Sequence, residues 1–339
     1  MKRAWTLILC GVSLGVVLIA GTANGTGTAA TRTFVSGAGA DSGSCTVTAP
    51  CRSFAYAITQ TAAGGEITVL SSAGYGAVSI TGSITITNPG GVEAGVTASS
   101  GASAISIAAS SSDIVTLRGL TLEGGGVGSH GINTTAVGTL NIIDAVAKDF
   151  TGSGIVVEPS SGTTNVLIAD TFALNNGESG INLDATGSGA VQFTIARTTA
   201  AGNVYGISLD ATASGSRIDG LIVDSHADSN SNVGIDVTGS GPNAPGCDSA
   251  GGGTNVYVVV QNSSAVNNRN NGIEATGTAI NGNGPFSGAG VVITGSTFIN
   301  DGVGDVYGNC GMVFSAGDNI FFIAETGTYG GGVGIFSKH

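Results

Sequence analysis

Past the first sixty residues or so, apolar and polar residues alternate in short runs, and the runs recur. In Ile181-Asn182-Leu183-Asp184 every second side chain is apolar; after a Gly/Ser turn Val191, Phe193 and Ile195 alternate again. A tight turn at Ala196-Arg197 then leads to a third piece, and Asn203 precedes the next unit. Period-2 alternation of β-branched residues between Gly turns predicts strands, whereas helical repeats need a 3.6-residue period and good helix formers. Each unit opens on a Gly-Ile pair: Gly131-Ile132, Gly154-Ile155, Gly180-Ile181, Gly206-Ile207, Gly234-Ile235 and Gly272-Ile273, spaced by 23, 26, 26, 28 and 38 residues. The long last interval holds a Gly/Pro-rich insertion, Gly239 to Gly253, and subtracting about a dozen residues restores the period. Three short strands per unit predict one coil of a stack: an all-β, right-handed, three-sided parallel β-helix.

Stacking residues one repeat apart brings like positions to about 4.8 Å of each other. Asn176, Asn203, Asn230 and Asn268 then form a structural ladder, since aligned amides link along a stack and Asn tolerates left-handed turns. A second column, Arg118, Asp144, Asp170, Arg197, Asp224 and Asn262, reads as turn stabilisation, with Arg197 salt-bridged between Asp170 and Asp224. Open stack ends need covers. From Ser53 to Thr61 the apolar positions Phe54, Ala57 and Ile58 are spaced like one helix face, which predicts an N-terminal capping helix over a first coil starting at Glu66-Ile67. The predicted organisation is a signal peptide over 1–25, an N-terminal extension with the capping helix over 26–62, β-helix coils over 63–318, and C-terminal strands and cap over 319–339.

The signal peptide rests on Lys2 and Arg3, an apolar run from Leu7 to Ala20, and small residues at Gly21, Ala23 and Gly25. The run is short for a membrane span, and no later stretch predicts one. Removing the leader takes two positive charges and no negative ones, so the net charge of −12 becomes 8 − 22 = −14. So acidic a chain is a poor nucleic-acid partner, and it repels polyuronates unless a cation mediates. Four cysteines remain, Cys45, Cys51, Cys247 and Cys310, an even number that reads as disulfides in an exported chain. Of three connectivities, Cys45–Cys51 with Cys247–Cys310 is preferred, because the first pair closes a small loop. A transmembrane β-barrel is disfavoured for want of ten-residue strands and aromatic girdles.

Three segments carry a likeness. Arg32-Thr33-Phe34-Val35-Ser36-Gly37, Cys45-Thr46-Val47-Thr48-Ala49-Pro50-Cys51-Arg52-Ser53-Phe54-Ala55 and Thr61-Ala62-Ala63-Gly64-Gly65-Glu66-Ile67 resemble exported right-handed β-helix repeat proteins of soil bacteria, in the pectin-lyase-like superfamily. Asp113 to Leu120 is similar as well. The resemblance is specific over about residues 30–135. It implies this fold and export, but not an activity, because the fold hosts lyases, hydrolases, esterases and adhesins. In active members the first parallel sheet and its loops often carry the substrate cleft.

On the strand after each Gly-Ile pair, the second and fourth residues point to solvent. The fourth reads Glu158, Asp184, Asp210; the second reads Asn182, Ser208, Asp236, Glu274. This acidic strip supports three readings. It is a solvated face; or Glu158, Asp184 and Asp210 bind Ca²⁺, which takes six to eight oxygen ligands; or they are catalytic carboxylates, Glu158 and Asp210 lying about 9.6 Å apart, near the upper end of the spacing in inverting glycosidases. Motifs for sugar chemistry are incomplete. Ser129-His130-Gly131 and Arg217-Ile218-Asp219 are isolated echoes of a polygalacturonase pattern, and His226, between Asp224 and Asp228, reads as a turn residue rather than a general base. The single Trp, Trp5, lies in the leader, and Tyr205, Tyr257 and Tyr307 are scattered, so the aromatic faces that sugars pack against are few. The expected function is therefore a secreted or envelope-associated, non-catalytic surface-interaction or adhesin-like module, with an extracellular polysaccharide or cell-surface component as partner. A pectate-lyase-like or polygalacturonase-like enzyme is the alternative.

Overall fold

The computed structural model describes residues 29–240, 255–278, 288–309 and 312–321, and the strand residues 248–249, 284–285 and 333–335. The expected leader, Cys247 and Cys310 lie outside the described residues, as does most of the expected C-terminal cap.

Three strands make each coil. In one coil they are Thr163–Ala169, Phe172–Leu174 and Ser179–Asp184; in the next, Ala190–Ala196, Thr199–Ala201 and Tyr205–Ala211. Equivalent strands pair in parallel and in register, for example Ile168 with Ile195, Ala173 with Ala200 and Ile181 with Ile207. The coils build a first sheet of twelve strands, a second of six strands continued by three more, and a third of nine. Bridges from Thr199 to His226 and from His226 to Ser264 join the two parts of the second sheet.

Inward positions form dry columns, such as Ile142, Ile168, Ile195, Ile222, Val260 and Ile293 in the first sheet and Ala147, Ala173, Ala200, Ala227 and Ala265 in the second. The Gly-Ile pair marks a corner. A Cβ on Gly180 would stand 2.8 Å from Asn203 Nδ2 and 3.0 Å from the Ala200 Cβ, so only glycine lets the next coil close. Between the first and second sheets the chain turns on one left-handed residue: Asp144, Asp170, Arg197, Asp224 or Asn262. Arg118 does not belong to this column. It pairs with Ile143 at the end of a strand, and Gly119, with φ 69°, makes that coil's turn. Arg197 holds Asp170 through two bonds of 2.7 and 2.8 Å, an exposed pair.

The turn from second to third sheet carries the ladder. Asn176, Asn203, Asn230 and Asn268 are all at most 3% exposed. The Oδ1 of each of Asn203, Asn230 and Asn268 accepts both the backbone N–H and the Nδ2–H of the Asn one coil before, at 2.9–3.3 Å. The sequence pattern missed both ends: Phe150, whose N–H donates to Asn176 Oδ1, and Asp301, which accepts from Asn268. It also missed a parallel hydroxyl column, Thr171, Thr198, Ser225, Ser263 and Ser296, each bonding a carbonyl two residues back.

The cap is the helix Phe54–Gln60, its first turn held by Ser53 Oγ accepting from Tyr56 N–H. Phe54 and Ala57 are buried, and the Phe54 ring lies 5.0 Å from that of Tyr75. Cys45 and Cys51 are disulfide-bonded. The stack starts earlier than Glu66: the strand Ala30–Val35 pairs with Thr61–Val69, turning Thr33 and Val35 inward and joining Arg32 to Glu66.

Candidate acidic face on the third sheet

The third sheet carries the acidic strip on its solvent side. In Ser179–Asp184 and Tyr205–Ala211 the inward residues Ile181, Leu183, Ile207 and Leu209 are fully buried, which turns Asn182, Asp184, Ser208 and Asp210 outward. Asp184 and Asp210 are register partners. Glu158 follows the strand Ile155–Val157, whose Val157 pairs with Leu183, so Glu158 continues the line below Asp184. Glu158, Asp184 and Asp210 thus share one face in consecutive coils, as the repeat predicts.

Two more carboxylates extend the face. Asp236 pairs with Glu274, one column over, and Glu274 pairs with Tyr307. Tyr307 stands at the end of the strip, while Tyr205 is opposite Ser179 at the start of its strand and Tyr257 is on the first sheet, so the three tyrosines are scattered as expected. Glu274 is oriented by Asn271 Nδ2 at 2.8 Å and by the Thr276 hydroxyl at 3.2 Å. Asp210 Oδ1 accepts from Thr212 N–H at 2.8 Å.

Burial and like-charged neighbours raise the proton affinity of two of these carboxyls, Asp184 and Asp236. Burial, followed by the neighbouring charges of Asp210 and Glu158, holds the Asp184 carboxyl above the usual carboxylate range. Asp236 is pushed further, to about 7, by burial and then by Glu274 and Asp210, with a Thr238 hydrogen bond opposing. None of the nine strands of this sheet contains Lys, Arg or His. Four described cations pair with carboxylates elsewhere: Arg32 with Glu66, Lys148 with Glu123, Arg197 with Asp170 and Arg217 with Asp219. His226 lies on the second sheet, its Nδ1 2.8 Å from Ser264 Oγ, which in turn donates to Asp228. His130 accepts from Ser153 N–H at a corner. Neither joins the acidic line.

The carboxylates run in file rather than in a ring. Among the described residues no three or more His, Cys, Asp or Glu side chains are gathered closely enough to enclose a metal ion. What the face offers is one carboxylate per coil, repeated along the axis from Glu158 to Glu274. Beyond the strands Ile235–Ser240 and Asn271–Thr278, Asp248–Ser249 and Gly284–Pro285 pair in an antiparallel ribbon.

A solved alginate lyase from Paenibacillus sp. strain FPU-7 superposes with a TM-score of 0.61 over 90% of this chain and all of its own, at 15% identity. The fold is a right-handed parallel β-helix. The A-module of an Azotobacter vinelandii mannuronan C-5 epimerase matches 78% of the chain and 70% of its own at TM-score 0.48 and 15% identity, and a pectate lyase 84% and 70% at 0.41 and 16%. No protein-family model and no curated protein matches the sequence. At such identities the likeness reaches the β-helix and not its chemistry. Among the described residues, no helix is long and apolar enough to cross a membrane.

Proposed function

We propose that this right-handed β-helix is an exported, non-catalytic surface-interaction module that engages an anionic extracellular polysaccharide through divalent cations held on its acidic face. The observation that carries this reading is two adjoining files, Glu158-Asp184-Asp210 and Asp236-Glu274, on a sheet with no Lys, Arg or His in its described strands. Carboxylates a coil apart repel, and a cation relieves the repulsion. Because each ion meets only one or two protein carboxylates, oxygen ligands remain to be filled by water or by a carboxylated chain. A linear file suits an extended polymer better than a compact ligand.

β-Elimination from a uronate requires, besides a cation on the substrate carboxylate, a base at the neighbouring C–H, and the strands beneath this face supply no Lys, Arg or His for that role. One observation favours a second, catalytic reading: Asp236, near neutrality beside Glu274, is suited to general acid work. Retention on immobilised anionic and neutral glycans, with Ca²⁺ or with a chelator, separates the two when products are monitored for unsaturated ends and reducing ends. Ca²⁺-dependent retention without products, weakened by Asp184→Asn and Asp210→Asn, is the expected result. Turnover that Asp184→Ala abolishes would replace the binding reading with the enzymatic one.

A further inference from the structure

At the far end of the ladder an amide gives way to a carboxyl. Asp301 is 5% exposed, and its Oδ1 accepts from Asn268 N–H at 2.7 Å and from Asn268 Nδ2 at 3.0 Å, as an Asn would. The other half of the group differs. In three coils below, Nδ2 of Asn176, Asn203 and Asn230 donates to an Ala carbonyl: Ala147 at 3.3 Å, Ala173 at 3.0 Å and Ala200 at 3.2 Å. Asp301 has Oδ2 in that place, buried and with no donor directed at it. The matching carbonyl in the Ala column is that of Ala265. A Cβ built on Gly272 would stand 2.5 Å from Asp301 Oδ2, 2.7 Å from Asp305 O and 3.0 Å from Ala265 O, so three acceptor oxygens surround one point. They attract only if a proton lies between them.

We propose that Asp301 closes the ladder as a neutral carboxylic acid whose Oδ2–H donates to Ala265 O, and that its ionisation loosens the last coils, making the C-terminal end of the solenoid a pH-operated latch. The groups that face it are acidic. Asp305, opposite Gly272 in the corner column, is fully buried, and Asp228 lies on the second sheet below; Arg269, in the ladder turn, is exposed. Burial raises the Asp301 proton affinity most, the two Asn268 hydrogen bonds oppose it, and Asp305 and Asp228 raise it again, to about 7. With the folded value above the unfolded 3.8, the folded state holds the extra proton. Latch stability is full at acidic pH, declines as pH rises past about 4 and is lost beyond about 7.

The test uses the full chain. Amide protection factors of Ala289–Thr294 and Gly304–Asn309 are measured at about pH 5.5 and pH 8.5 for the wild type, Asp301→Asn and Asp301→Ala. Asp301→Asn restores the donor without a titrating group, so its protection should be flat with pH and exceed the wild type by at least tenfold at the higher pH, a shift of about one pK unit or more. Asp301→Ala should be weak at both. An Asn variant that keeps the wild-type pH dependence, or is less protected than wild type at pH 8.5, would overturn the latch. Independently of any variant, a ¹³C carboxyl titration that finds Asp301 ionised at pH 5.5 would do the same.

Discussion

Truncating one rung, Asn203→Ala, tests the ladder as the main polar support of the interior. Asn203 Oδ1 is the acceptor for the backbone N–H and Nδ2 of Asn176, and its own Nδ2 donates to Ala173 O and Asn230 Oδ1. Four hydrogen bonds disappear together. Three are ordinary exchanges worth about 0.5–1.5 kcal/mol each. The fourth strips the buried N–H of Asn176 of its acceptor, which costs about 1–3 kcal/mol. The sum is a loss of about 2.5–7.5 kcal/mol. Because a solenoid coil contacts only its neighbours, the loss should concentrate around residues 172–207. Denaturant unfolding gives the total, and hydrogen exchange gives the location. Gln192→Ala, on the exposed face of the first sheet, is the control and should change stability by no more than about 0.5 kcal/mol. If Asn203→Ala also falls within about 1 kcal/mol of the wild type, the ladder is not the main polar support of the interior.

Thr134 is 1% exposed and its hydroxyl has no partner, so the near-isosteric Thr134→Val should stabilise by about 1–2 kcal/mol; a lower denaturation midpoint would contradict this. The folded Asp236 carboxyl lies above its unfolded value, so the wild type should lose stability as pH rises from about 4 to 7, and Asp236→Asn should lose less in thermal melts across that range. Millimolar Ca²⁺ at about pH 8 should raise the wild-type melting temperature and leave Asp184→Asn/Asp210→Asn unmoved; equal shifts in both proteins would place the cation elsewhere. Arg197→Asn gives up an exposed ion pair but relieves a left-handed Arg (φ 49°), for a net change within about 0.5 kcal/mol by chemical denaturation.

The winding was legible because the residues that dictate it are chemically conspicuous. Gly180 and its equivalents are the only residues that fit the corner, and four Asn stack in the next turn, so spacing alone registers the coils. Where a position tolerates several residues, the signal thins. Thr171, Thr198, Ser225, Ser263 and Ser296 do one job with two residue types common throughout the chain, and their column was not visible beforehand. Phe150 and Asp301 fill the end positions of the ladder with residues unlike Asn, where an Asn stands in the neighbouring coil on one side only. The strand Ala30–Val35 lacks the Gly-Ile signal and joins the stack only by pairing with the strand after the helix, so its place in the first coil does not show in the repeat.

The acidic face was legible by the same arithmetic, since strand alternation fixes which residues point out and register fixes which stand together. Why those residues are acidic is a separate question, which the fold does not answer. The interior polar groups of the ladders satisfy one another, and removing them should cost stability. Asp184 and Asp236 behave oppositely: burial and like-charged neighbours raise their proton affinities, so their charge opposes folding at neutral pH. A solvated face could be kept soluble by Ser, Thr and Asn, which this chain uses freely on its other surfaces, without that penalty. Side chains that burden the fold where neutral ones would serve point to a binding role, and a cation is the partner proposed for these carboxylates.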